Sequence, residues 1–280
     1  MSFPQPASLP GLSRHDADRP QPSTASISVA VLLATFTSSA FPAEIPLAER
    51  KSGYEFMTRE TRAMQDDDTA NPGMLSVLDG EAIWNRKAGE ANKSCADCHG
   101  DAGAGVKGVA ARYPAFNAAR NRPIDLEQRI NLCRSDQQKA TPLRFEGKEL
   151  LALSAFVGRQ SRGMPVAVTM DERTKPFIDA GREMFERRQG QLNLSCAQCH
   201  DDNWGQKLAG SPVVQAHPTG YPIYRLEWQA MGSLQRRLRS CLSGMRAEVY
   251  PFGAPEYVDL ALFLMWRARG MPVETPAVRP

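Results

Sequence analysis

Histidine is scarce in this chain of 280 residues: there are four, against 34 Lys and Arg and 31 Asp and Glu. Neither sign of charge dominates. The net of +3 excludes the dense basic load of a nucleic-acid coat, and no basic stripe alternates with aromatics, which make up only 8%. Six cysteines are too few to staple a chain of this length into a disulfide scaffold. Apolar runs are short. Ile27 to Phe36 is mostly apolar but spans ten residues, where a bilayer crossing takes about 20, so no membrane span is expected. Proline and glycine, 21 of each, are plentiful and imply a loop-rich fold. The 42% hydrophobic content supports one large or two small cores.

The Ile27–Phe36 run is followed by Ser38-Ser39-Ala40, the pattern of a signal peptide with cleavage near Ala40 or Ala43. Its leader is atypical, because Asp16 and Asp18 cancel Arg14 and Arg19. The expectation is an exported, periplasmic protein with residues 1–43 as leader and 44–77 as an extension wrapping the first module or a partner.

The remainder reads twice. Gly80 and Gly181 open helix-like stretches that lead to Ser94-Cys95-Ala96-Asp97-Cys98-His99 and Ser195-Cys196-Ala197-Gln198-Cys199-His200, at one offset of 101. Cys133 and Cys241 follow at an offset of 108. The segments Arg162-Gly163-Met164-Pro165-Val166 and Arg269-Gly270-Met271-Pro272-Val273 come after a further helix, at 107. Landmarks in one order, with the drifts assigned to loops, indicate a duplicated module, 78–168 and 169–280. The expected fold is mainly α and loop-rich: two tandem modules related by internal duplication, with helices over Gly80 to Lys93, Glu149 to Gln160, Asp179 to Gln191 and Glu256 to Arg269.

Cys-x-x-Cys-His is the attachment signature of c-type haem. Two thiols one helical turn apart add to the porphyrin, and the next residue is left aimed at the iron. A thioredoxin-like site would lack the repeat, and a zinc site would need further ligands nearby. Two covalently bound c-type haems are expected, held by Cys95 and Cys98 and by Cys196 and Cys199, with His99 and His200 on the iron; the modules are then cytochrome c-like.

The second axial ligand is usually His or Met. His15 precedes the cleavage site, and His217, in a Pro/Gly loop without a counterpart, reads as a surface residue. Met164 and Met271 lie 65 and 71 residues after their histidines, but beyond the final helix, which suits packing better than ligation. Cys133 and Cys241 precede that helix, and thiolate is a soft donor suited to haem iron; a Cys133–Cys241 disulfide is the alternative. Their surroundings differ. Arg129, Arg134 and Asp136 give the window around Cys133 a net of +1, whereas Arg236, Arg237, Arg239 and Arg246 give that around Cys241 +4. Arg237 lies one helical turn before Cys241. Cations there favour a thiolate and attract a small oxyanion; a solvated basic face is the plainer reading.

With the paired Cys-x-x-Cys-His motifs, the late cysteine in each half and Arg237-Leu238-Arg239-Ser240-Cys241-Leu242-Ser243-Gly244-Met245-Arg246, the chain resembles the SoxA family, the dihaem subunit of the SoxAX cytochrome of thiosulfate oxidation. The resemblance covers roughly residues 48–275. It implies His99 with Cys133 and His200 with Cys241 as axial pairs, Cys241 as the catalytic sulfur and a persulfide candidate, and Arg237 as a substrate contact, with Arg239 and Arg246 beside it. It further implies joining of thiosulfate to a cysteine of the SoxYZ carrier, with electrons leaving through haem to the monohaem partner SoxX. The rival is a Met-ligated dihaem electron carrier; a dihaem peroxidase would need a catalytic acid that the sequence does not single out.

Overall fold

Repeating helical faces separated by Gly- and Pro-rich loops produce a similar order of elements twice. The computed structural model describes residues 45–280; the leader reading lies outside them. After α1 (Arg59–Asp66) come α2 (Gly73–Asn85), the turns α3 (Ala96–His99) and α4 (Ala102–Gly105), and the hairpin β1–β2 (Ala115–Asn117, Arg122–Ile124). α5 (Leu126–Cys133) and α6 (Lys148–Arg159) complete the first module. The second runs α7 (Lys175–Glu186), α8 (Cys196–His200), a hairpin β3–β4 (Lys207–Leu208, Ser211–Pro212), a second hairpin β5–β6 (Ile223–Arg225, Ala230–Gly232), α9 (Leu234–Gly244) and α10 (Pro255–Arg267). β7 (Ala277–Arg279) ends the chain parallel to β5.

The recurring glycines mark helix crossings. A Cβ on Gly80 would lie 2.1 Å from the Ala152 carbonyl oxygen of α6, and one on Gly181 2.1 Å from that of Asp259 on α10. Only a missing side chain lets the backbones approach so closely. Around the second crossing Ile178, Phe185, Leu260 and Leu262 are all but fully buried, each contributing about 1.5–3 kcal/mol. The helices before the motifs stop at Asn85 and Glu186, short of the expected Lys93 and Gln191. Tight turns intervene, with Gly89 and Asn92, and Gly190 and Asn193, at positive φ and the bridges Ala88–Lys93 and Gln189–Leu194. α2 also starts at Gly73, inside the stretch expected to be extension.

The drifts between copies have physical causes. The offset rises from 101 to 108 across the β3–β4 hairpin, which the first module lacks. The fall from 108 to 107 lies within a helix and not in a loop. Asp125 and Ser233 cap the starts of α5 and α9, while left-handed Lys139 and Arg246 follow their ends. The first copy has one residue more between cysteine and left-handed residue, and takes it up as a π-helical turn, Arg134–Gln138.

The modules exchange parts. β1–β2 packs on α10 and β5–β6 on α6; Met231 belongs to the first core and Ala111 to the second. Arg122 reaches Asp259 at 3.2 Å. The two Arg-Gly-Met-Pro-Val segments pair with each other: Gly163 N–H donates to Val273 O, Val273 N–H to Met164 O, Val166 N–H to Met271 O and Gly270 N–H to Val166 O, at 2.8–2.9 Å. The extension does not wrap the first module alone. Its start lies on the second, where Arg50 donates to Arg269 O at 2.5 Å and Ser52 to Glu274; further on, Asp68 pairs with Arg159 and Arg162, and Gln65 O accepts from Arg162. Among the described residues no helix is long and apolar enough to cross a membrane.

Candidate haem sites

Each Cys-x-x-Cys-His turn is nucleated by a serine. Ser195 caps α8 by accepting from Gln198 N–H while the Gln198 side chain accepts from Ser195 N–H. Ser94 and Asp97 make the same reciprocal pair before α3. An aromatic residue backs each imidazole, Trp84 at 5.6 Å from His99 and Phe185 at 6.4 Å from His200.

The late cysteines come to the motifs of their own halves. Cys133 is among the charges that act on Cys95, and Cys241 among those that act on Cys196. Burial pushes the Cys133 thiol up, with Arg129 opposing it, and pushes Cys196 up to about 12. All six cysteines are free, so the Cys133–Cys241 disulfide is not formed. The motif turn is tied to the end of the helix bearing the late cysteine. Ala91 N–H donates to Gln138 O at 3.2 Å and Gln191 N–H to Arg246 O at 3.2 Å. A Cβ at Gly89 or Gly190 would strike that same helix end.

This donor set fits c-type haem: two thiols one turn apart, an adjacent imidazole, and a third thiol brought up on another helix. His200 carries a further sign of it. Its Nδ1 is bonded to Val214 O at 2.5 Å, and a carbonyl can only accept, so Nδ1 holds the proton and Nε2 keeps its lone pair for a metal. Among the described residues no group of three or more His, Cys, Asp or Glu side chains could hold a metal ion by itself.

The four arginines around Cys241 part company. Arg236 lies over the Trp228 ring, 4.0 Å from its centroid. Arg239 donates to Tyr250 O and covers Phe252 at 4.4 Å. Arg246 is exposed, in the left-handed residue after α9. Arg237 is half-buried, and among the described residues its guanidinium makes no hydrogen bond or ion pair; its charge bears on His200, Tyr221 and Arg225. Of the four, it is the one free toward the second site. Tyr221 was not singled out by the sequence reading, although Tyr113 lies at the repeat offset. Burial pushes its phenol up to about 12, and the charges of Arg237 and Cys241 both act on it. Arg225 was missed as well, having no counterpart.

Met164 and Met271 stand in the pairing between modules. Met271 is buried, and the Met164 side chain fills the space beside Gly108; both pack, as their place after the final helix suggested. His217 is not a surface residue. It is 6% exposed, its Nδ1 donates to Lys51 O at 2.9 Å, and burial lowers it to about 4. The sequence could not show that the extension closes over this loop.

Two crossed-helix modules, each with a Cys-x-x-Cys-His turn below an aromatic residue, define a c-type cytochrome. The chain matches the family model described as SoxA/TsdA, cytochrome c domain, over residues 79–166 and 180–273, and it belongs to that family. It is 39% identical, over 87% of its length and 85% of the relative's, to the L-cysteine S-thiosulfotransferase subunit SoxA of Pseudaminobacter salicylatoxidans. To the same subunit of Rhodovulum sulfidophilum it is 36% identical over 85% and 84%. The crystal structure of SoxXA from P. pantotrophus matches with a TM-score of 0.79 at 31% identity, covering 82% of this chain and 87% of that one.

Proposed function

We propose that this chain is the dihaem subunit of an L-cysteine S-thiosulfotransferase, with two covalently attached c-type haems, one per module (78–168 and 169–280). Cys95 and Cys98 attach the first, with His99 and Cys133 as axial residues; Cys196 and Cys199 attach the second, with His200 and Cys241. The reaction joins thiosulfate to a cysteine thiol of the SoxYZ carrier. One S–S bond forms, the thiol proton is released, and two electrons leave. When bound, the haems take up electrons one at a time for delivery to SoxX.

The residues of the second module divide the work. Cys241 supplies the sulfur at which the sulfur oxyanion is captured, and is the persulfide candidate. Arg237, one turn earlier on α9 and without a competing carboxylate, holds the anion's oxygens by charge-assisted hydrogen bonds. Arg239 and Arg246, engaged elsewhere or exposed, add to the field. Tyr221, whose phenol burial keeps protonated, can donate its hydroxyl hydrogen to an anion there. The reading includes export to the periplasm.

The observation that carries it is the single uncommitted guanidinium on the helix of the late cysteine beside the second motif. Thiosulfate- and carrier-dependent turnover of full-length Cys241→Ala and Arg237→Ala tests it. Cys241→Ala is expected to abolish turnover with both haems still attached by mass, and Arg237→Ala to weaken thiosulfate use at least tenfold. Full turnover in Cys241→Ala would leave a plain electron carrier.

A further inference from the structure

The loop that bonds the proximal imidazole of the second module is itself held from its far side. Val214 O takes the Nδ1 proton of His200 at 2.5 Å. The next residue, Gln215, is 1% exposed and turns to the extension: its Oε1 accepts from Lys51 N–H at 2.7 Å and its Nε2 donates to Glu49 O at 3.3 Å. Ala216 at positive φ then brings the buried His217 round to donate to Lys51 O. Three hydrogen bonds thus fasten residues 215 and 217 to the backbone of residues 49–51. That segment is anchored in turn by Arg50 on Ile45 O and Arg269 O, and by Ser52 on Glu274. The first module has no such arrangement: among the described residues the His99 ring makes no hydrogen bond, and the Trp84 ring lies 5.6 Å from it.

We propose that Gln215 and His217 are positioning residues which, by latching the Val214 loop to the N-terminal extension, fix the proximal imidazole of the second module and hold its iron more reducing than a free loop would. A carbonyl kept in line with Nδ1–H pins the tautomer and orientation of the ring and raises the basicity of the liganding nitrogen. Greater basicity favours the ferric state. Released from Lys51 and Glu49, the loop would let that bond lengthen, and the imidazole would donate less to the iron. The latch rests on the reading of His200 as an iron ligand, and it acts on one module only.

Redox titration of the full-length, haem-loaded protein tests it, the first-module haem serving as an internal reference. Gln215→Leu removes two of the three bonds and His217→Phe the third; His217→Asn keeps a donor in the place of Nδ1. Gln215→Leu and His217→Phe are expected to shift the ferric–ferrous balance of the second-module haem at least threefold toward ferrous, ~28 mV at 59 mV per tenfold for one electron. The first haem should stay where it is, and His217→Asn should match the unaltered protein. An unmoved second potential, equal shifts in both haems, or an Asn variant as displaced as the Phe variant would overturn the latch. His200→Met separates the two readings: an unchanged second-haem spectrum there removes the ligand assignment, whereas a changed one beside unmoved latch potentials removes the latch alone.

Discussion

Gly181→Ala turns the repeat into a stability measurement with a definite sign. In a helix interior, Ala is about 1 kcal/mol better than Gly, so with room to spare the change would stabilise α7. The room is missing. The new Cβ would lie 2.1 Å from the Asp259 carbonyl oxygen, 2.7 Å from its carbon and 2.9 Å from Phe263 Cβ. The helices must part by ~1 Å to restore contact distances, opening the layer that buries Ile178, Phe185 and Leu260. Overpacking of this kind costs about 1–3 kcal/mol, and because a backbone carbonyl cannot swing aside, the upper part of that range applies. The net after the propensity gain is ~2 kcal/mol, or a fall of about 4–8 °C in Tm for a chain of this size. Gly80→Ala meets Ala152 O at 2.1 Å and should do the same. Thermal unfolding followed by circular dichroism of the haem-loaded protein decides it, and an unchanged or raised Tm in either variant would refute the crossing argument.

Asp259, facing Arg122 between the modules, has its carboxyl pushed up to about 6, chiefly by burial, with Arg122 opposing. The folded state therefore holds a proton that the unfolded chain loses near 3.8; this group's contribution is greatest below that value and is lost as pH rises from about 4 to about 6. Asp259→Asn should flatten that part of the stability profile in urea titrations between pH 4 and 7, and an unaltered slope would contradict the assignment. Gln235 donates to Asp125 at 2.6 Å and accepts from Gly253 N–H at 2.7 Å, buried between the modules. Gln235→Leu strands both partners and should cost about 2–4 kcal/mol, read as a lowered denaturation midpoint; an unchanged midpoint would mean that the interface rearranges around it.

The sequence carried the duplication and the haem motifs because they depend on local spacing: a Cys-x-x-Cys-His turn is written in six residues with its serine cap. The glycines at 80 and 181 were visible as landmarks, but not as crossings, since the carbonyls they meet lie on helices about 75 residues away. A one-residue drift after Cys133 looks like loop slack; only the shared left-handed residue at each helix end turns it into a π turn. Tertiary closure was illegible. His217 reads as exposed until residues 49–51 cover it, and the surplus of charge around Cys241 hid the fact that Arg236 and Arg239 are spent on aromatic rings and a carbonyl. The Met-Pro segments, tempting as ligands by distance, proved to be where the backbones of the two modules pair.

Whether the Cys241 sulfur sits on the second iron is read most directly by electron paramagnetic resonance of the oxidised protein. In Cys241→Ala the low-spin ferric signal of the second-module haem should change while that of the first persists, and Met271→Leu should leave both as they were. A second-haem signal that survives Cys241→Ala and is lost in Met271→Leu would contradict the account.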